Sequence, residues 1–158
     1  MANDRLLAIY LNDHLGGSAV AIQRCRYSAE RSRGSALGEF LLRLSRDIEE
    51  DRETLLRVLG CIGAKPSSAK QAIGRIAERL GRLKPNGQLT GVSPLTPLVE
   101  LEFLSLGVEG KCRLWVGLRE LGDSRLAEFD FDALAERAVE QREGIEAQRL
   151  AAVRAAFR

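Results

Sequence analysis

The long apolar stretch at residues 95–121 places apolar side chains on more than one side of a helix. One stripe comprises Leu101, Leu104, Val108, Cys112, Trp115 and Leu118, and a second comprises Val99, Phe103, Leu106, Leu114 and Leu121. A helix that is apolar on several sides is either buried or part of an oligomer interface. Gly107, Gly110 and Gly117 lower helix propensity, so we interpret them as points where another backbone comes close. The pattern predicts a central helix over about residues 97–121, opened by Pro97.

Amphipathic periodicity predicts the remaining helices. Asn3 is a good N-cap for the first helix, the break at Gly34 and Ser35 precedes the second, and Asp130 or Asp132 caps the last. No segment alternates with the period of a strand. We therefore predict an all-α fold in a single domain, residues 1–158, with helices at about 4–32, 36–62, 68–83, 97–121 and 131–157.

Length and composition fit one such domain. The chain has 158 residues, of which 45% are hydrophobic, enough for one core and too few for two ordinary domains. Neither a signal peptide nor a long uninterrupted apolar segment is present, so we expect no membrane partner and a cytoplasmic protein. Cys25, Cys61 and Cys112 lack the CxxC spacing of metal sites, which favours buried, reduced thiols.

Charge does not favour a nucleic-acid partner. The net charge is +2, and acidic and basic residues are interspersed. The predicted helix at 68–83 has one basic face, formed by Lys70, Arg75, Arg79, Arg82 and Lys84. Because this helix has no aromatic residue on which bases could stack, we interpret the face as solvated and do not expect nucleic acid as a partner.

Two polar residues interrupt the apolar stripes. Asp51 belongs to a seven-residue repeat of the second helix in which its counterparts are aliphatic: Leu37, Leu41, Leu44, Ile48, Leu55, Val58 and Ile62. A lone buried carboxylate costs several kcal/mol unless it is paired, so we expect an arginine, a serine hydroxyl or His14 as its partner. His14 occupies a core-facing position on the first helix, about one turn from Asp51 across the predicted hairpin, which leaves a contact between them open. We interpret it as a core histidine.

The order of the elements resembles the ferritin-like superfamily. Two tightly joined long helices, a connection of about thirty residues and two more long helices resemble its four-helix bundle, in which a long crossover joins two up-down pairs. The second helix continues LLRVLGCIGAKP, similar to the run that follows the ligand histidine in that family. The resemblance implies a ferritin-like bundle whose crossover carries a short extra helix. It also implies a di-iron or di-manganese site, held by glutamates of the first and third helices and by Glu-x-x-His of the second and fourth.

The sequence departs from this ligand pattern. Asp51 stands where the second-helix histidine would be, Ile48 stands where its glutamate would be, and the last helix offers Glu140 with Glu143 in place of histidine. The first helix offers Asp13 and His14, and the remaining carboxylates that could hold a metal in this resemblance are Asp47, Glu102 and Glu109. Oxygen ligands alone suit hard ions such as manganese, yet many acidic residues on helices simply face solvent.

These observations lead to two hypotheses of function. In the first, the chain is a binding or assembly protein of ferritin-like shape, without a conventional di-iron site, without a cofactor and without catalysis. In the second, it is a divergent carboxylate-bridged iron or manganese oxidase, or a metal-binding protein. No catalytic triad or phosphate-binding loop is found.

The apolar central helix also predicts an assembly. One small bundle covers about two sides of a helix, so we expect a homodimer through residues 95–121. The alternative is that the helix at 68–83 covers the excess within one chain, through Ile73, Ile76 and Leu80.

Overall fold

The computed structural model describes residues 3–67 and 93–158. Its four α-helices are α1 (Asp4–Arg31), α2 (Ala36–Cys61), α3 (Leu95–Leu121) and α4 (Phe131–Ala156), with a 3-10 turn at Ser124–Leu126 before α4. The described part of the chain contains no strand, so the prediction of an all-α fold is confirmed, and the helices are consistent with a four-helix bundle. Their ends lie within two residues of the predicted bounds. The helix predicted at 68–83, with its basic face, falls outside the described residues.

Local capping residues fix where three of the helices begin. The side chain of Asn3 accepts a hydrogen bond from the Leu6 amide, that of Ser35 from the Gly38 amide, and that of Asp130 from the Ala133 amide. Each cap satisfies a backbone donor that has no partner inside its helix.

The helices form two antiparallel hairpins, α1 with α2 and α3 with α4, and the hairpins pack so that α1 lies beside α3 and α2 beside α4. Glu100 near the start of α3 accepts hydrogen bonds from Ser28 and Arg31 near the end of α1, so these two helices are antiparallel. Leu41 lies beside Leu101, and Asp51 contacts Lys111. These contacts show that α2 and α3 run in the same direction, and the end of α2 and the start of α3 therefore lie at opposite ends of the bundle.

The buried apolar residues form two clusters. The Trp115 cluster contains Leu11, Leu15, Leu55, Val58, Leu59, Ile62, Leu114, Trp115, Leu118, Leu126 and Phe131. The Leu104 cluster contains Ile22, Cys25, Ala29, Leu41, Leu44, Ile48, Leu101, Leu104, Val108, Ala138 and Ile145. Ile48 and Val108 belong to one cluster, whereas Leu55 and Trp115 belong to the other, so the boundary between the clusters crosses α2 and α3 at mid-length.

None of the described helices combines the length and the apolar character that a membrane span requires. The three cysteines are free thiols; Cys25 is buried as predicted, whereas Cys61 and Cys112 are only partly buried.

Candidate functional site

A polar layer separates the two apolar clusters at the middle of the bundle. It consists of Asp51 of α2, Lys111 of α3 and Gln141 of α4. The ammonium group of Lys111 donates to Asp51 Oδ2 and to Gln141 Oε1, and Gln141 Nε2 donates to Asp51 Oδ2 at 3.2 Å. Asp51 is only 3% exposed, so this carboxylate is paired inside the protein, as burial of a charge requires.

A second cation approaches the same carboxylate. Arg137 Nε lies 3.7 Å from Asp51 Oδ1, an oxygen that accepts no hydrogen bond from the described residues. The guanidinium of Arg137 is held there by donating to Glu50 at 2.7 Å and to the Asp47 carbonyl at 3.2 Å. Burial lowers the pKa of Lys111, and Asp51 opposes that shift. The layer is therefore a buried ion pair with a second, longer cationic contact.

The structure does not bring the other predicted metal ligands to this layer. Glu109 binds Arg113 at 2.7 Å and also Arg142, while Glu102 is exposed and lies 3.7 Å from Arg149. The remaining candidates are Asp47, partly buried beside Arg137, and two exposed residues of α4, Glu140 and Glu143.

These positions do not fit the dinuclear centre that the ferritin-like resemblance implies. Within residues 3–67 and 93–158, no three His, Cys, Asp or Glu side chains are grouped so that they could hold a metal ion. The Lys111 ammonium contacts Asp51 Oδ2, so a cation of the protein itself neutralises this carboxylate, which is the one buried carboxylate within the described ranges. The alternative of a carboxylate-bridged iron or manganese site finds no geometric support there.

His14 is only partly buried, and its environment differs from the predicted one. Its ring meets the ring of Tyr10 edge-on, with centroids 4.7 Å apart. Burial lowers the pKa of His14, and the neighbouring Asp13 opposes that shift. The partners of Asp51 are Lys111, Gln141 and Arg137 rather than His14.

A groove opens between α1 and α3 and reaches the polar layer. Its volume is about 410 Å³. We call it the α1–α3 groove; it is lined by Tyr10, Asp13, His14, Gly17, Ser18, Val20, Ala21, Ile48, Asp51, Arg52, Leu55, Phe103, Leu104, Leu106, Gly107, Val108, Gly110, Lys111, Leu114 and Trp115. Most of these side chains are apolar or small, and the charged ones among them are few. Such a surface suits an apolar ligand with a polar end.

The glycines of α3 help to create this space. Gly107 and Gly110 line the groove, and no atom within 4 Å would meet a Cβ built on either residue or on Gly117. The interpretation of these glycines as points of close backbone approach is therefore wrong for contacts within the described chain. At Gly107 and Gly110 the missing side chains leave volume open instead.

Two side chains that line the groove have hydrogen-bond donors that the described chain satisfies only with neutral groups or not at all. Arg52 Nη1 donates to the Leu15 carbonyl at 2.8 Å and to Ser18 Oγ at 3.1 Å, both neutral groups, and no carboxylate of the described chain pairs with this guanidinium. The indole Nε1 of Trp115 is buried and donates to nothing in the described chain. An unpaired buried donor such as the Trp115 indole N–H is costly. The Arg52 guanidinium has two neutral acceptors and no carboxylate partner in the described chain, so it favours an anion.

Asp51 lies in the core as predicted, whereas Lys111 was not predicted as its partner. A signal was present, because Leu104, Val108, Lys111, Trp115 and Leu118 follow the alternating three- and four-residue spacing of a buried stripe. The predicted stripe has Cys112 at this position instead, and Cys112 is only partly buried.

The second apolar stripe of α3 is mostly exposed. Val99, Phe103, Leu106 and Leu121 each remain accessible to solvent, and Leu106 is 74% exposed. Leu114 is the member of this stripe that is buried.

No protein-family model, curated protein or solved structure matches this chain.

Proposed function

We propose that the protein is a single-domain, ferritin-like helical bundle that acts by binding a ligand and not by catalysis at a metal centre. The observation that supports this function is the α1–α3 groove. Its volume of about 410 Å³ falls in the range of roughly 300–1,000 Å³ that is usual for small-molecule sites, and its mostly apolar lining with a few polar groups is typical of them.

The arrangement of the helices supports the ferritin-like part of this proposal. Since α2 and α3 run in the same direction, the connection between them corresponds to the long crossover of that superfamily. The mid-bundle position at which active members hold metals has instead an Asp51–Lys111 ion pair.

We further propose a cytoplasmic location. Three free thiols in one small domain suit a reducing compartment, in which disulfides rarely persist.

Binding can be measured with the neutral fluorescent probe N-phenyl-1-naphthylamine. Trp115 is the single tryptophan of the chain and lines the groove, so a bound probe should quench its emission by energy transfer. Wild-type protein should bind the probe saturably. Gly110→Leu, which fills the groove, should weaken binding by about tenfold or more, equal to ~1.4 kcal/mol or more.

Gly117→Leu is the matched control, because Gly117 is on the same helix, has equally open space and does not line the groove. This variant should bind the probe as the wild type does. Absence of saturable binding, or equal binding by Gly110→Leu and wild type, would refute the proposed function.

A second candidate function is assembly into a homodimer through α3. The exposed stripe of Val99, Phe103, Leu106 and Leu121 favours it, since an apolar helix face is often covered by a partner. Because Phe103 and Leu106 also line the groove, a second copy packed on this stripe would cover the groove mouth.

Light scattering and sedimentation test the dimer. Leu106→Glu should convert a dimeric wild type to a monomer, whereas Leu42→Glu, at an exposed position of α2, should leave it dimeric. A monomeric wild type at micromolar concentration would exclude this assembly and would leave the predicted helix at 68–83 as the cover of the stripe.

A further inference from the structure

We propose that the α1–α3 groove takes an anionic amphiphile: a molecule with one unbranched alkyl chain and a carboxylate, which Arg52 binds. This inference rests on the proposed binding function and adds the chemical class of the ligand. It is carried by the charges in the groove, by the absence of a carboxylate partner for Arg52 in the described chain, and by the apolar walls and length of the groove.

The charged groups that line the groove leave Arg52 without a counterion. Asp51 and Lys111 neutralise each other in the polar layer, and Asp13 already has an interaction of its own. Burial lowers the pKa of His14, which disfavours its charged form, and Asp13 opposes that shift. The guanidinium of Arg52 is bound only to the Leu15 carbonyl and the Ser18 hydroxyl in the described chain.

A carboxylate is the ligand group that best completes this site. A guanidinium offers five donors, and Arg52 uses one nitrogen, Nη1, for its two contacts within the protein. Its remaining N–H groups can form the charge-assisted hydrogen bonds that arginine makes with carboxylates.

The remaining walls suit an alkyl chain. They include Val20, Ile48, Leu55, Val108 and Leu114, none of which can form a side-chain hydrogen bond. Along α1 the lining runs from Tyr10 to Ala21, and these eleven residue steps correspond to roughly 16 Å at about 1.5 Å per residue. A groove of that length accommodates an extended chain of medium length, such as that of decanoate.

The experiment compares two ligands that differ only at the head group, decanoate and 1-decanol, by displacement of N-phenyl-1-naphthylamine from the full chain. Wild-type protein should bind decanoate about tenfold more tightly than decanol, as expected for one charge-assisted hydrogen bond. Arg52→Gln should remove this preference and leave decanol affinity unchanged. Arg52→Lys, which keeps a cation, should retain part of it.

Arg46→Gln is the matched control, because Arg46 is an exposed arginine on the same helix and does not line the groove. It should keep the full preference for decanoate. Equal affinity of the wild type for the two ligands, or a preference for decanoate that persists in Arg52→Gln, would overturn the inference. The proposed function would still stand in that case, provided that the probe binds. If the probe itself does not bind, the proposed function fails first and this inference fails with it.

Discussion

Replacing Lys111 with methionine tests whether the polar layer is a true buried ion pair. Asp51 would keep only the Gln141 amide at 3.2 Å and the more distant Arg137 at 3.7 Å. Removing one partner of a buried pair costs about 3–5 kcal/mol. Because Arg137 still partly neutralises the Asp51 carboxylate, we expect the lower value, ~3 kcal/mol. For a domain of this size, each kcal/mol lowers Tm by about 2–4 °C, so Tm should fall by about 6–12 °C.

The double variant Asp51→Leu with Lys111→Met should recover most of this loss. Replacing a whole buried pair by apolar groups is neutral or stabilising by about 1–4 kcal/mol. Gln141 would then lose both partners, at a cost of about 1–3 kcal/mol. The two effects offset each other, so the free energy of unfolding of the double variant should lie within about 1 kcal/mol of the wild-type value. Asp51→Leu alone should lower the free energy of unfolding by less than Lys111→Met does. Lys111 lines the groove, and burial lowers its pKa, so it loses its proton more readily than an exposed lysine when Asp51 is absent.

Urea unfolding followed by circular dichroism provides the four free energies of the double-mutant cycle. The exposed pair Glu30 and Arg33 serves as a control cycle, whose coupling should be close to experimental error. Lys111→Met with wild-type stability, or additive effects of the two core substitutions, would refute the description of this layer as a coupled buried pair.

Two further predictions concern single positions. Gly38→Ala should destabilise the fold by about 1–3 kcal/mol, because its Cβ would overlap the Ser32 carbonyl. Gly60→Ala on the same helix, with open space around it, should stabilise by about 0.5–1 kcal/mol in the same urea titration; equal effects would contradict the prediction. Since burial lowers the pKa of His14, the only histidine, the unfolded chain binds more protons below about pH 6.5, and wild-type stability should fall as pH decreases through that window. His14→Gln should reduce this fall between about pH 7.5 and about pH 5, and an unchanged pH dependence would disprove it.

The helices could be predicted from the sequence because their signals are local. Asn3, Ser35 and Asp130 cap helices within a few residues of themselves, so the chain near each cap is enough to place it. The start of α3 was placed two residues late, at Pro97, whereas the helix begins at Leu95. A proline is tolerated in the first turn because amides there have no intrahelical partner, so Pro97 did not mark the first position.

The candidate site could not be predicted in the same way, because it depends on the axial register between helices. Asp51 and Lys111 are 60 positions apart, and amphipathic periodicity shows which residues face inward but not which of them meet. The groove also depends on how the helices pack against each other. Glycines at 107 and 110 are compatible either with close packing or with open volume, and only the spacing of α1 from α3 distinguishes the two.

The polar layer also limits how the bundle can be assembled. Moving α3 along its axis by one turn, about 5.4 Å, would bring the Lys111 ammonium level with Ile48 or Leu55. Neither side chain has an atom that can accept a hydrogen bond. Shifted packings that would cost little in a wholly aliphatic interior are thereby disfavoured. Three side chains from three different helices thus specify the axial register of the bundle, because their hydrogen bonds form together in only one relative position of the helices.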